Sequence, residues 1–136
     1  MTKIKNNRNF IRVGIKKLTS IVKSGGGDYE LVKGDDKAKA AMINIVDISM
    51  GGLCIESKSN IRSGVSLDLE IPKVKNLDAT TIACDVTRSS FKEDPLFYKN
   101  LGTDQDKSYY EVGLKFKVPN TEYLKQLYKL AVADQI

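Results

Sequence analysis

Apolar and polar residues alternate with period two over much of this chain, the signature of strands that bury one face. Val65, Leu67, Leu69 and Ile71 alternate with Ser66, Asp68 and Glu70, and Pro72 stops the run. Ile82, Cys84 and Val86 form the next inward face, opposed by Thr81, Ala83 and Asp85. Tyr110, Val112, Leu114, Phe116 and Val118 give the cleanest alternation, with Glu111, Lys115 and Lys117 toward water, and Pro119 ends it. Earlier, Val13 and Ile15 begin a looser alternation that runs toward Ile21 and Val22. Ala40 to Val46 predicts a second strand that delivers Asp47 at its end, and Leu53 and Ile55 resume the pattern.

The period changes once. Asn120 is a good N-cap for a helix to about Ala133, with Leu124, Leu127, Tyr128 and Ala131 at helical spacing and expected to lie on the sheet. Between the strands, Ser24-Gly-Gly-Gly27 breaks regular structure and a polar turn follows around Gly34 to Asp36. Phe91 to Lys107, polar and carrying Pro95 and Gly102, predicts a long excursion whose Phe97 and Tyr98 either meet a partner or tuck against the sheet. Short antiparallel strands closed by one helix predict a mainly all-β fold, a small β-barrel whose closure protects its strand edges.

At 136 residues, 41% hydrophobic and 29% charged, the chain has the size and composition of one globular domain. No apolar run approaches the ~20 residues of a membrane helix. Arg12, Lys16 and Lys17 interrupt any continuous apolar signal core, so the expected location is the cytoplasm. Histidine is absent, which excludes Ser-His-Asp and Cys-His nucleophile systems and histidine-containing zinc sites. Cys54 and Cys84 lack a CxxC spacing and fall in strand-like runs, where a reduced cysteine behaves as a small apolar residue. Asp35 and Asp36 are the paired acids an enzyme reading would need, but they lie in a turn where solvated acids are expected. No catalytic role is expected.

The net charge of +5 is unevenly spread. Lys3, Lys5, Arg8, Arg12, Lys16, Lys17 and Lys23 all precede the first acid, Asp28, which leaves the remainder near −2. Such polarity draws an anionic partner to the N-terminal segment. Nucleic acid or a membrane surface would also answer to the charge. Only four of the 22 basic residues are arginine, and two of those four, Arg8 and Arg12, form an RxxxR motif. Arginine offers a planar fork that fits phosphate oxygens and the O6/N7 edge of guanine. A second motif, DxSxxG, is written by Asp47, Ser49 and Gly52 in Asp47-Ile-Ser-Met-Gly-Gly52. Its carboxylate can accept from the N1 and N2 donors of guanine, and Gly51 and Gly52 permit a tight turn or bulge approached closely by a ligand. Taken singly, an arginine pair in a basic leader fits a solvated face, and Asp, Ser and Gly suit any turn. One ligand class, a guanine nucleotide with phosphates, would use both.

On these motifs the sequence resembles the PilZ domain family, bacterial receptors for cyclic di-GMP, from Arg8 to the C-terminal helix. RxxxR is followed at once by an apolar strand at Val13 and Ile15, and DxSxxG leads into Leu53-Cys54-Ile55. A Gly-led strand runs from Gly64 to Ile71, and Tyr110-Glu-Val-Gly-Leu-Lys-Phe116 is similar to the family's closing strand. The resemblance implies a six-stranded antiparallel β-barrel with a C-terminal α-helix, and cyclic di-GMP as the ligand without other cofactor. It implies that Arg8 and Arg12 bind phosphate and guanine edge, Asp47 reads the guanine donors, Ser49 supplies a hydroxyl, and Gly51 and Gly52 leave room. Asn7, just before RxxxR where an arginine tends to accompany two stacked ligands, implies one. Residues 1–12 are then a basic leader, mobile without ligand, and 13–136 one domain that signals to an unidentified protein. The alternatives are a PilZ-like adaptor that does not bind the nucleotide, which usually lacks one of the motifs, and a small barrel for single-stranded nucleic acid. The second is disfavoured because tryptophan is absent and most Tyr and Phe positions serve the inferred core.

Overall fold

The computed structural model describes residues 12–26, 29–35, 37–93, 108–118 and 120–136. Six strands follow in order: β1 (Val13–Ser24), β2 (Ala40–Ile48), β3 (Gly52–Ser57), β4 (Ser66–Ile71), β5 (Thr80–Lys92) and β6 (Tyr109–Phe116), then helix α1 (Thr121–Val132). They close into a barrel in the order β1-β2-β3-β6-β5-β4, every neighbour antiparallel. Closure leaves no open edge, and the alternating residues of all six strands converge on one core. In β4 the pattern is complete: Leu67, Leu69 and Ile71 are buried between less buried polar neighbours.

Strand polarity divides the connections between two ends. At one end lie the start of β1, the β2–β3 turn, the β4–β5 connection and the exit of β6 toward α1. At the other, Val32 pairs with Ile61, Arg62 N donates to Leu31 O at 2.9 Å, and Leu31, Val32 and Ile61 are buried. These apolar residues stop that end of the barrel. Asn120 caps α1 as expected, its Oδ1 accepting from Tyr123 N at 3.2 Å. The helix packs against β1 and adds Tyr123, Leu124, Leu127 and Ala131 to the core.

Three expectations require correction. Val118 is 80% exposed rather than inward, because β6 ends at Phe116 and the chain turns toward the helix. The buried helix tyrosine is Tyr123, one position before Leu124, while Tyr128 is only half-buried. Phe91 and Lys92 belong to β5, pairing with Tyr110 and Tyr109, so no excursion begins at Phe91. The Phe91 and Tyr110 rings meet edge to face with centroids 5.5 Å apart. Phe97 and Tyr98 lie outside the described residues.

Both cysteines are buried and free. Burial pushes the Cys54 thiol up to about 11 and the Cys84 thiol to about 12, so neither is a ready nucleophile near neutral pH. Among the described residues no helix is long and apolar enough to cross a membrane, and no group of His, Cys, Asp and Glu could hold a metal.

Candidate functional site

Asp47 owes its position to an irregularity in β2. Ile43 and Ile45 are buried, and strict alternation would carry the Asp47 carboxylate into the core beside them. Instead Ile45 pairs with Ile55 while Asp47 pairs with Cys54, so Val46 is an extra residue on β2. This β-bulge reverses the facing: Ile48 returns to the core and Asp47 stays partly exposed. The bulge thus spares the cost of burying a charge and presents it at the barrel end.

Asp47 lies opposite Gly14 on β1, and Arg12, two residues before Gly14, reaches across. Arg12 Nη1 donates to Asp47 Oδ1 at 2.6 Å, with the two side chains 26% and 29% exposed. Arg12 Nε is buried and has no hydrogen-bond partner among the described residues. A fixed cation therefore sits beside a fixed carboxylate with acceptor capacity left, the combination that a guanine edge or a phosphate can engage.

The turn after β2 is built by Ser49. Its hydroxyl accepts from Gly51 N and Gly52 N, both at 3.3 Å, and donates to Gly52 O at 3.1 Å. Ser49 N donates to the same carbonyl at 2.9 Å. With only 5% exposure, Ser49 spends its hydroxyl inside the turn. Gly51 O accepts from Phe116 N at 3.2 Å, tying the turn to β6. A Cβ on Gly52 would collide with the Leu114 carbonyl oxygen and crowd Lys115 Cα at 3.3 Å, so glycine here lets β3 approach β6.

Arg12, Asp47, Ser49, Gly51 and Gly52 thus come together at one end of the barrel, although they arise from the two ends of a 41-residue stretch. Asn7 and Arg8 lie outside the described residues. Gly14, which carries no side chain opposite Asp47, belongs to the same place and was not legible as a site residue. Only the strand register reveals it.

A family model for the PilZ domain matches residues 6–132 of the chain. No curated protein sequence matches it. Among solved structures the chain is similar to the PilZ domain with c-di-GMP of YcgR from Escherichia coli, with 11% identity, 94% of this chain and 91% of that chain covered, and a TM-score of 0.61. It is also similar to the K. pneumonia MrkH–c-di-GMP complex, with 13% identity, 96% and 55% covered, and a TM-score of 0.64. A further structure of MrkH, described as a c-di-GMP-dependent transcription regulatory factor, gives 14% identity, 93% and 50% covered, and a TM-score of 0.57. The chain spans about half the length of the MrkH chains. At these identities the likeness is one of fold.

Proposed function

The chain belongs to the PilZ domain family, and from that premise we propose that it is a receptor for cyclic di-GMP that signals to a partner protein from the cytoplasm. The observation that supports this most is the pairing of Arg12 with Asp47 at the barrel end, a cation and a carboxylate held 2.6 Å apart beside a glycine turn. Structures of the same fold are described as complexes with that ligand.

In this reading Arg12 donates to a phosphate or to guanine O6 and N7, and Asp47 accepts from guanine N1 and N2. Ser49, Gly51 and Gly52 act through the turn: they hold the backbone that carries Asp47 and keep it close to β6. Arg8 and Asn7, on the basic leader, complete the site from the other side of the ligand, and Asn7 before the motif favours one ligand per chain. The ligand fastens the leader to the barrel end, and the surface so formed is what the partner recognises. No step is catalytic.

Calorimetric titration with cyclic di-GMP, linear pGpG, GTP and a short single-stranded DNA tests the reading. Saturable heat with the cyclic ligand at one per chain, and weaker or no response to the others, is expected. No heat with the cyclic ligand, or an equal response to all four, overturns it.

A further inference from the structure

A second candidate site lies on the same end of the barrel, between the β4–β5 connection and α1. Lys75, Asn76, Leu77, Gln126, Lys129 and Leu130 line a cavity of about 280 Å³ there. Leu77 and Leu130 supply an apolar floor, and Lys75 and Lys129 stand at its margin without an ion-pair partner among the described residues. Among the described residues no acidic side chain lines it. On the same two elements Lys73 and Lys125 add exposed positive charge, opposed by Asp78, Glu122 and, just past the helix, Asp134.

The backbone at Lys75 fixes where its side chain begins. Val74 and Leu77 exchange both backbone hydrogen bonds, Val74 N to Leu77 O at 3.0 Å and Leu77 N to Val74 O at 2.8 Å, closing a two-residue turn. Lys75 sits in it with φ of 56°, in the left-handed region that glycine occupies without strain. Lysine therefore stands here in a conformation that favours glycine, at a backbone cost of its own. It lines the cavity together with Lys129 from another element.

We propose that this groove binds an acidic peptide segment of a partner protein, with one aliphatic or aromatic side chain between Leu77 and Leu130 and flanking carboxylates on Lys75 and Lys129. An apolar floor beside two ammonium groups that have no ion-pair partner among the described residues complements that pairing, whereas a bare phosphate would leave the leucines unused. The groove shares no lining residue with the Arg12–Asp47 site, and the proposal stands whether or not cyclic di-GMP binds.

The test is selection of phage-displayed random dodecapeptides on the full chain and on a Lys75→Glu/Lys129→Glu variant, followed by amide-resolved NMR titration of a synthetic peptide carrying the selected sequence. Enriched sequences should place an apolar residue among two or more Asp or Glu, and shift the amides of residues 75–77 and 126–130. They should bind the variant at least about fivefold more weakly, as the loss of two exposed ion pairs implies. Lys75→Gly provides the second variant: its melting temperature should hold or rise while peptide affinity falls. Selection without acidic bias, equal binding to the charge-reversed variant, shifts elsewhere on the barrel, unweakened peptide binding by Lys75→Gly, or the same shifts from inorganic phosphate or an oligothymidylate would overturn the proposal.

Discussion

Arg12 donates to Asp47 across 2.6 Å and so joins the residue before β1 to the carboxylate end of β2. Both side chains remain about a quarter exposed, so water and salt screen the pair. Ion pairs that water still reaches contribute ~1 kcal/mol or less to folding. Arg12→Ala and Asp47→Asn should therefore each shift unfolding free energy by no more than about 1 kcal/mol in urea titrations. A larger loss would make the pair a structural element first and a binding element second.

Gly52 should behave in the opposite way. Its Cβ would strike the Leu114 carbonyl oxygen on the paired strand, and backbone cannot move aside as a flexible side chain can. Gly52→Ala is expected to cost about 1–3 kcal/mol, measured by thermal or urea unfolding. Unchanged stability would show that β3 and β6 are less closely apposed than described.

Ser49→Ala removes the acceptor for Gly51 N and Gly52 N while leaving the turn's backbone bond from Ser49 N in place. Stability should fall by about 1–3 kcal/mol, the cost of unpaired buried donors. Ligand affinity should fall with it, because Asp47 is two residues away, and Ser49→Thr should restore part of both.

Asp85 predicts a change in acid. Hydrogen bonds from Lys117 and Ser66 hold its carboxyl below the ordinary 3.8. A carboxyl whose folded pKa is lowered adds stability above its unfolded value, and that stability is lost as pH falls through the folded value. Lys117→Met should thus lower the melting temperature at pH 7, and the difference from the parent should shrink below about pH 4. A difference independent of pH would assign the effect to packing.

The thiols carry the reverse sign. Burial raises Cys54 to about 11 and Cys84 to about 12, from 9.0. Unfolded chains would release those protons near pH 9 and folded chains would not, so stability should decline as pH rises from 9 toward 11. A Cys54→Ala/Cys84→Ala variant should show less of this decline, and the native thiols should resist a thiol reagent at pH 8.

Much of this was legible because barrel strands write their facing into the sequence. Leu67, Leu69 and Ile71, or Ile82, Cys84 and Val86, announce an inward face without any knowledge of the partner strand. The helix and its Asn120 cap were equally plain. The site was legible as residue types, since Arg12 and Asp47 stand in recognisable spellings, but not as geometry. Alternation from Ile43 and Ile45 would bury Asp47, and only the extra residue at Val46 turns it outward. Ser49 reads from sequence as a free hydroxyl, whereas it is spent inside the turn. Gly52 reads as room for a ligand, yet the atom it makes way for is the Leu114 carbonyl oxygen. Each of these depends on which strand lies alongside, and pairing is a tertiary property that local pattern does not carry.

The most direct test of the account is titration of cyclic di-GMP into the parent chain and into Arg12→Ala and Asp47→Asn, at equal salt, with unfolding curves recorded on the same preparations. Charge-assisted hydrogen bonds contribute roughly 1.5–3 kcal/mol each, so either substitution should weaken binding at least about tenfold while stability stays within about 1 kcal/mol. Parent-like affinity in both variants would contradict the central claim that Arg12 and Asp47 form one nucleotide site.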